Sequence, residues 1–375
     1  MRIAIIDADL IGRKRHRFPN LACMKLSGYY KEQGHDVTLE LSYDKILDYD
    51  KVFISKVFTD TPINEEYLSL PNVEYGGTGF FFDKAPNLPY EIEHHFPDYH
   101  LYDEWVEDQF SKGVKKVELK EYTDYSIGFL TRGCFRKCGF CVNKKYNHVF
   151  KHSPLEEFYD PSRKKICLLD DNFFGCPKWR EMFEELIKTG KPFKFKQGMD
   201  ERILTEEKIK LLFDCRYDGD LTFAFDDIDD YKLIEEKLKL IRKHSDKRAM
   251  FYVLCGYDKN NKYDEDFWKN DLINTFKRIE LLGKYKAFPY IMRFEKYKES
   301  PYRGMYVTLA RWCNQPAFFK KQDLYTFIHV TDGKSQSKEM YASKKYYEQL
   351  KEIYPDVIKQ YFFTNYWTGD KDDTQ

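Results

Sequence analysis

Short apolar runs alternate with longer amphipathic stretches along most of this chain. Ile3 to Ile6 is a four-residue apolar run of the kind that suits a buried parallel strand. From Asn20 to Glu32, Leu21, Met24, Leu26 and Tyr29–Tyr30 form one stripe, which predicts a helix, and Gly34 sits at its C′ position. Val37–Leu41, Val52–Ile54 and Val73–Tyr75 read as further strands. The last runs into Gly76-Gly77-Thr78-Gly79, a glycine-rich turn in a Rossmann-like half. Residues 84–103 are rich in proline and acidic side chains and read as a connector. Beyond them the alternation resumes. Strands are expected at Tyr125–Leu130, Ile166–Asp170, Phe193–Gln197, Leu221–Asp226, Met250–Cys255 and Ala287–Arg293. Helices are expected at Lys178–Thr189, Thr205–Phe213, Tyr231–His244 and Asp266–Leu282, with Thr205 as an N-cap. Six β-α units in series predict an α/β fold with a parallel barrel or partial barrel. In such barrels the reactive residues sit at the C-terminal ends of the strands. The tail from Thr368 to Gln375 is polar and is expected to fray.

Composition narrows the class. The 375 residues balance 62 Lys and Arg against 62 Asp and Glu, so no global field favours a nucleic acid or a membrane. No apolar run approaches the ~20 residues that span a bilayer. Asp7 interrupts the first apolar run, which therefore opens a strand and is not a signal peptide. Nine cysteines without such a peptide fit a reducing compartment, and a cytoplasmic protein with no membrane partner is expected.

The chemistry concentrates just after the first barrel strand. Cys134, Cys138 and Cys141 stand at C-x3-C-x2-C spacing in Cys-Phe-Arg-Lys-Cys-Gly-Phe-Cys. Three thiolates on one tight loop can hold three irons of a [4Fe–4S] cube and leave the fourth without a protein ligand, whereas such clusters usually take four cysteines. An open iron can bind a small molecule and pass it an electron. Two other readings compete. His148 completes C-x3-C-x2-C-x6-H, a possible Cys3His zinc site in a non-catalytic interaction protein, and three unrelated core cysteines are the bland alternative. The remaining six cysteines show no tight pairing and read as small buried hydrophobes.

The cysteine spacing, with Phe140 before the third cysteine, resembles the radical S-adenosylmethionine (SAM) superfamily. Over residues 1–295 or so the chain resembles the branch with an N-terminal cobalamin-binding-like domain. The resemblance implies residues 1–118 as a truncated Rossmann-like domain and connector, 119–300 as the core barrel, and 301–375 as a C-terminal extension. It implies Cys134, Cys138 and Cys141 as cluster ligands and Phe140 near the adenine of SAM. Asp170-Asp171-Asn172-Phe173 is similar to the branch's Asp-Asp-x-Phe segment, which lies beside the SAM amino group. A helix N-cap is the ordinary alternative for Asp171 or Asn172.

Gln197 and Arg202 look like the Asn/Gln…Arg-x-Asp segment, with Arg202 paired either to the SAM carboxylate or to Asp226. Asp226 stands where the branch has a glutamate, one methylene longer. Gly256 falls in a Gly-x-Pro-like segment that lacks its proline, and Arg293 ends the sixth strand. For each of these residues an internal salt bridge is an equal alternative. Leu309–Gln315 reads either as a packed helix or as a closure over substrate.

The implied activity is reductive cleavage of SAM to a 5′-deoxyadenosyl radical that abstracts hydrogen from an unknown substrate. A flavodoxin or ferredoxin would act as electron donor. A methyl- or methylthio-transferase acting on tRNA, protein or a small molecule is the alternative within the same resemblance.

Cobalamin is read as unlikely. Asp9 replaces the histidine of the Asp-x-His-x-x-Gly signature in Asp7-Ala8-Asp9-Leu10-Ile11-Gly12. Only roughly twenty residues separate the Gly-Gly turn from Phe96, too few for the usual extra strand and helix. The run Arg13-Lys14-Arg15-His16-Arg17 follows the first strand. It reads as a solvated charge run, with phosphate or nucleic-acid contact as the minority reading.

Overall fold

The computed structural model describes residues 1–14, 16, 18–329 and 338–370. They form two compact units, Met1–Gln197 and Gly198–Gln375. Both are α/β units with parallel sheets.

In the first unit, β1 (Arg2–Asp7), β2 (Asp36–Leu39), β3 (Lys51–Ser55) and β4 (Val73–Gly76) make a wholly parallel sheet in the order β2-β1-β3-β4. A central strand is covered on both faces, which is why Ile3, Ala4, Ile5 and Ile6 are all buried without alternation. Ile3 and Ile5 pack with Met24, Phe53 and Trp105, while Ala4 and Ile6 face Val52 and Ile54. The helix Leu21–Glu32 is capped by the Asn20 side chain, which accepts from the amides of Ala22 and Cys23. It stops where Gly34 takes φ +77°.

The connector expected over 84–103 leads straight into core. Tyr99, Leu101, Tyr102 and Trp105 are buried against β1 and the first long helix. A composition rich in proline and acid hid these aromatic anchors.

Asp7 closes β1 and caps the short helix Ala8–Gly12 while accepting from the Tyr102 hydroxyl at 2.9 Å. Burial pushes its carboxyl up to about 7, against the Tyr102 bond. A carboxyl raised above its unfolded value favours the fold while protonated, and that contribution is lost as pH rises through about 7. Asp7→Asn keeps the cap and stays neutral. The variant is expected to gain on the parent by on the order of 3 kcal/mol between about pH 4 and about pH 7, with the two running parallel above about pH 8. Urea unfolding of both proteins across that range checks this, and pH profiles parallel throughout would contradict it.

The same unit continues with β5 (Tyr125–Gly128), β6 (Thr131–Arg132), β7 (Phe150–Lys151), β8 (Lys165–Leu168) and β9 (Phe193–Phe195). Strands β5, β8 and β9 pair in parallel in that order, and β6 pairs antiparallel with β7. Gly128 is a packing requirement, because a Cβ there would lie 2.3 Å from the Phe158 ring.

In the second unit β10 (Leu221–Ala224), β11 (Ala249–Cys255) and β12 (Phe288–Arg293) form a parallel sheet in that order. Met199 makes an isolated parallel bridge with Phe223. Helices Glu206–Asp214, Tyr231–His244 and Glu265–Lys284 occupy the expected stretches, and the Thr205 hydroxyl accepts from the Lys208 amide as its N-cap. Arg278, almost completely buried, donates from one nitrogen to the carbonyls of Phe225, Asp226 and Leu254. Leu309–Cys313 belongs to the packed helix Arg303–Cys313. Asn314 follows it and bonds both backbone groups of Ile291 in β12. Of the polar tail, Thr368–Asp370 is hydrogen-bonded, and 371–375 lies outside the described residues. No helix among the described residues is long and apolar enough to cross a membrane.

Candidate metal centre

The loop 133–149 leaves the sheet through β6 and returns through β7. The ladder Thr131↔Lys151 and Arg132↔Phe150 therefore closes its base, with His152 N donating to Leu130 O at 2.8 Å just below. This small antiparallel pair has no hydrophobic alternation to announce it. Gly133 turns the chain with φ +88°, and a Cβ there would lie 2.3 Å from the His148 carbonyl oxygen. Within the loop Lys137 donates to the carbonyls of Lys144 and Tyr146, and Lys144 to that of Gly139. Its own lysines thus satisfy its backbone.

Cys134, Cys138 and Cys141 are half-buried and form no disulfide. Backbone donors already face two of the sulfurs. Arg136 N–H lies 3.3 Å from Cys134 Sγ and Asn143 N–H 3.4 Å from Cys141 Sγ. Burial pushes the Cys141 thiol up, opposed by that amide and reinforced by Cys134 and Asp171 nearby. A bound metal reverses such a preference by stabilising the thiolate. The donor set, three soft sulfurs on one loop with N–H groups directed at them, suits iron–sulfur ligation. Among the described residues, no three His, Cys, Asp or Glu side chains converge to grip one metal ion. His148, the fourth ligand of the zinc reading, is exposed, bonds Asn147 through Nδ1 and packs its ring on Phe150.

The turn after β8 reaches this loop. Asp170 is buried and accepts from the Thr131 amide and hydroxyl, both at 2.6 Å, and from the Leu130 amide at 3.2 Å. These bonds replace the ladder, so β8 ends before the expected Asp170. Burial lifts its carboxyl to about 7, against the Thr131 bonds. Asp171 accepts from the Gly133 amide at 2.9 Å and from Asn143 Nδ2 at 2.7 Å. Its carboxyl is also raised by burial, with Arg132 opposing. Asn172 Nδ2 donates to Cys134 Sγ at 3.5 Å. The N-cap alternative is not used, since Asn172 precedes a short 3-10 turn without a side-chain cap bond. Phe140 is half-buried on the loop itself, and Gln197 is exposed two residues after β9.

The other expected site residues lie in the second unit. Arg202 pairs with Asp200 at 2.7 Å and Asp230 at 2.9 Å, so the expected partner Asp226 is replaced by two carboxylates nearer in the chain or on the next turn. Burial raises the Asp226 carboxyl to about 6, with Arg278 opposing. Gly256 has φ +75° and donates its amide to Asp271 at 2.8 Å. Arg293 is exposed, with its guanidinium 4.8 Å from the Tyr297 ring.

Sequence reasoning missed Asn143, which nothing but its nearness to Cys141 marks. It also missed Glu201, a buried acid accepting from Ala224 N, whose carboxyl burial lifts to about 8. A cavity of about 460 Å³ in this unit is lined by Lys298, Arg303 and Arg311 together with Thr308, Ser343 and Tyr346. Among the described residues, no carboxylate lines it.

At the edge of the N-terminal sheet, Asp9 accepts from the amides of Val57 at 2.6 Å and Phe58 at 3.4 Å and from the Thr61 hydroxyl. Gly77, at φ +108°, brings the Gly-Gly turn against Lys56, where a Cβ would meet the Lys56 carbonyl oxygen at 2.2 Å. Of the basic run, Arg13 pairs with Asp60 and stacks on Phe58, while Arg15 and Arg17 lie outside the described residues.

No protein-family model matches the chain, and no curated protein does. Among solved structures it is similar to the radical S-adenosylmethionine methyltransferase TsrM from Kitasatospora setae with cobalamin and a [4Fe–4S] cluster bound. That likeness has a TM-score of 0.49 and 11% identity over 78% of this chain and 72% of that one. It is also similar to the cobalamin-dependent S-adenosylmethionine radical enzyme OxsB with aqua-cobalamin bound. Here the TM-score is 0.37 and the identity 13%, over 96% of this chain and 56% of that one. The chain thus spans little more than half the length of OxsB. Likenesses at these identities concern the fold and assign no reaction. They do correct one expectation. TsrM was solved with cobalamin bound and OxsB is a cobalamin-dependent enzyme, and on that finding the reading of cobalamin as unlikely is withdrawn. That reading equated the loss of one axial imidazole and one strand–helix pair with loss of the corrin's seat, and neither removes the ligand edge of a parallel sheet.

Proposed function

We propose that this chain is a radical SAM enzyme whose Cys134, Cys138 and Cys141 hold a [4Fe–4S] cluster. The single observation that supports it best is the loop 133–149: three half-buried thiols, backbone N–H groups directed at two of the sulfurs, and a base closed by β6 and β7. When bound, the cluster supplies the electron that cleaves SAM to methionine and a 5′-deoxyadenosyl radical. The protein's part is to bind, orient and exclude water. In this reading Phe140 packs beside adenine, Asp170 fixes the Leu130–Thr131 backbone that leads into the loop, and Gln197, Arg202, Asp226, Gly256 and Arg293 remain candidates for SAM contacts. Arg202 reaches SAM only by sharing its two carboxylates. Residues 1–118, 119–300 and 301–375 are proposed as the N-terminal domain, core and extension. Cobalamin belongs to the proposal as a second ligand, carried over from the similar solved enzymes, with the C-terminal edge of the β2-β1-β3-β4 sheet as its seat.

The test is anaerobic reconstitution with iron and sulfide, reduction, addition of SAM and mass spectrometry for 5′-deoxyadenosine. Its formation is expected. A protein that binds zinc and assembles no cluster would overturn the reading. Titration with hydroxocobalamin, followed by its visible spectrum, tests the second ligand separately, and an unchanged spectrum removes cobalamin alone.

A further inference from the structure

The Asp171–Asn172 turn has a role that the resemblance does not give it. Asp171 receives one donor from each end of the cysteine segment, Gly133 N just before Cys134 and Asn143 Nδ2 just after Cys141. One carboxylate therefore closes the ligand-bearing stretch like a clasp. The next residue, Asn172, is only 5% exposed and places its amide nitrogen 3.5 Å from Cys134 Sγ. A thiolate is an acceptor, so the amine end of the amide is the end that must face it.

We infer that Asp171 and Asn172 are positioning residues for the cysteine loop, and that the Asn172 N–H···S bond sets the reduction potential of the cluster held there. The inference rests on the function proposed above. Reduction adds negative charge to the cluster, and part of that charge resides on the cysteine sulfurs. An N–H dipole aimed at a sulfur stabilises the reduced form more than the oxidised one, and hydrogen bonds to sulfur are among the levers that tune such clusters. Burial strengthens the effect, because little water competes for the sulfur. Removing the donor lowers the potential and makes the cluster harder to reduce. Asn143 is neutral and its side chain bonds Asp171 and no sulfur, so its loss loosens the loop and leaves the donor to Cys134 in place.

The experiment uses the full chain reconstituted with iron and sulfide. Iron and sulfide content is measured first, then the midpoint potential of the cluster by EPR-monitored redox titration, then the rate of iron loss to a chelator. Asn172→Ala and the isosteric Asn172→Asp are expected to keep their iron and sulfide. Each should shift the reduced-to-oxidised ratio at fixed potential about tenfold towards oxidised, which is ~59 mV for one electron. Asn143→Ala is expected to lose iron faster at an unchanged midpoint. Midpoints equal to the parent's in both Asn172 variants, with the cluster intact and SAM cleaved, would overturn this inference and leave the proposed function standing. Failure of the parent to assemble a cluster would overturn both. The isostere guards against misfolding, since it changes no volume.

Discussion

Serine at any one of positions 134, 138 or 141 is expected to reduce 5′-deoxyadenosine formation to background and to strip most of the iron from the reconstituted protein. A thiolate binds iron because sulfur is soft and ionises near neutral pH, and a serine hydroxyl does neither. With three protein ligands there is no spare donor, and His148 faces Asn147 and Phe150 instead. The control is Cys215→Ser. This half-buried thiol lies in the second unit, bonded to the Leu212 carbonyl, and the variant should keep iron and activity. Anaerobic iron, sulfide and product assays on the four variants check the expectation. Parent-level product from any one of the three loop variants would refute the ligand assignment.

The second large effect is on stability. Arg278→Ala should destabilise the second unit by roughly 3 kcal/mol, because one buried and two partly buried carbonyls lose their donor at once. Those carbonyls, of Phe225, Asp226 and Leu254, lie just past β10 and near the end of β11, where a parallel sheet has no further strand amides to offer. Arg278→Lys restores the charge but not the planar fork, and should recover only part of the loss. Denaturant unfolding followed by circular dichroism checks both variants. A midpoint within error of the parent would mean that water replaces the guanidinium.

Much of the fold is legible in the residues. β1 is readable because four consecutive apolar residues need cover on both faces. Tyr231–His244 is readable because its apolar stripe and its length leave one interpretation. The limits of the strands are less so. β8 stops at Leu168 because Asp170 captures the amides of Leu130 and Thr131, a long-range contact that no local pattern encodes. The connector was misread for a related reason: Tyr99, Leu101 and Tyr102 are core residues embedded in a polar composition. At the candidate site the cysteine spacing stood out at once. Asn143, the β6–β7 pair and the pairing of Arg202 with Asp230 did not, since each depends on which chain segments meet. Cobalamin was misjudged because a short stretch before Phe96, together with one missing imidazole, was taken to decide a whole surface.

The β6–β7 pair has a further consequence for how this protein matures. Because Arg132 and Phe150 are partners in one ladder, the loop between them begins and ends at one place, and its closure entropy is met by the sheet and not by iron. The apoprotein can therefore complete its folding and present the three thiols as a preformed socket. On the proposed cluster assignment, metal delivery would be a late event on a finished scaffold, and oxidative loss of the cluster a repairable injury.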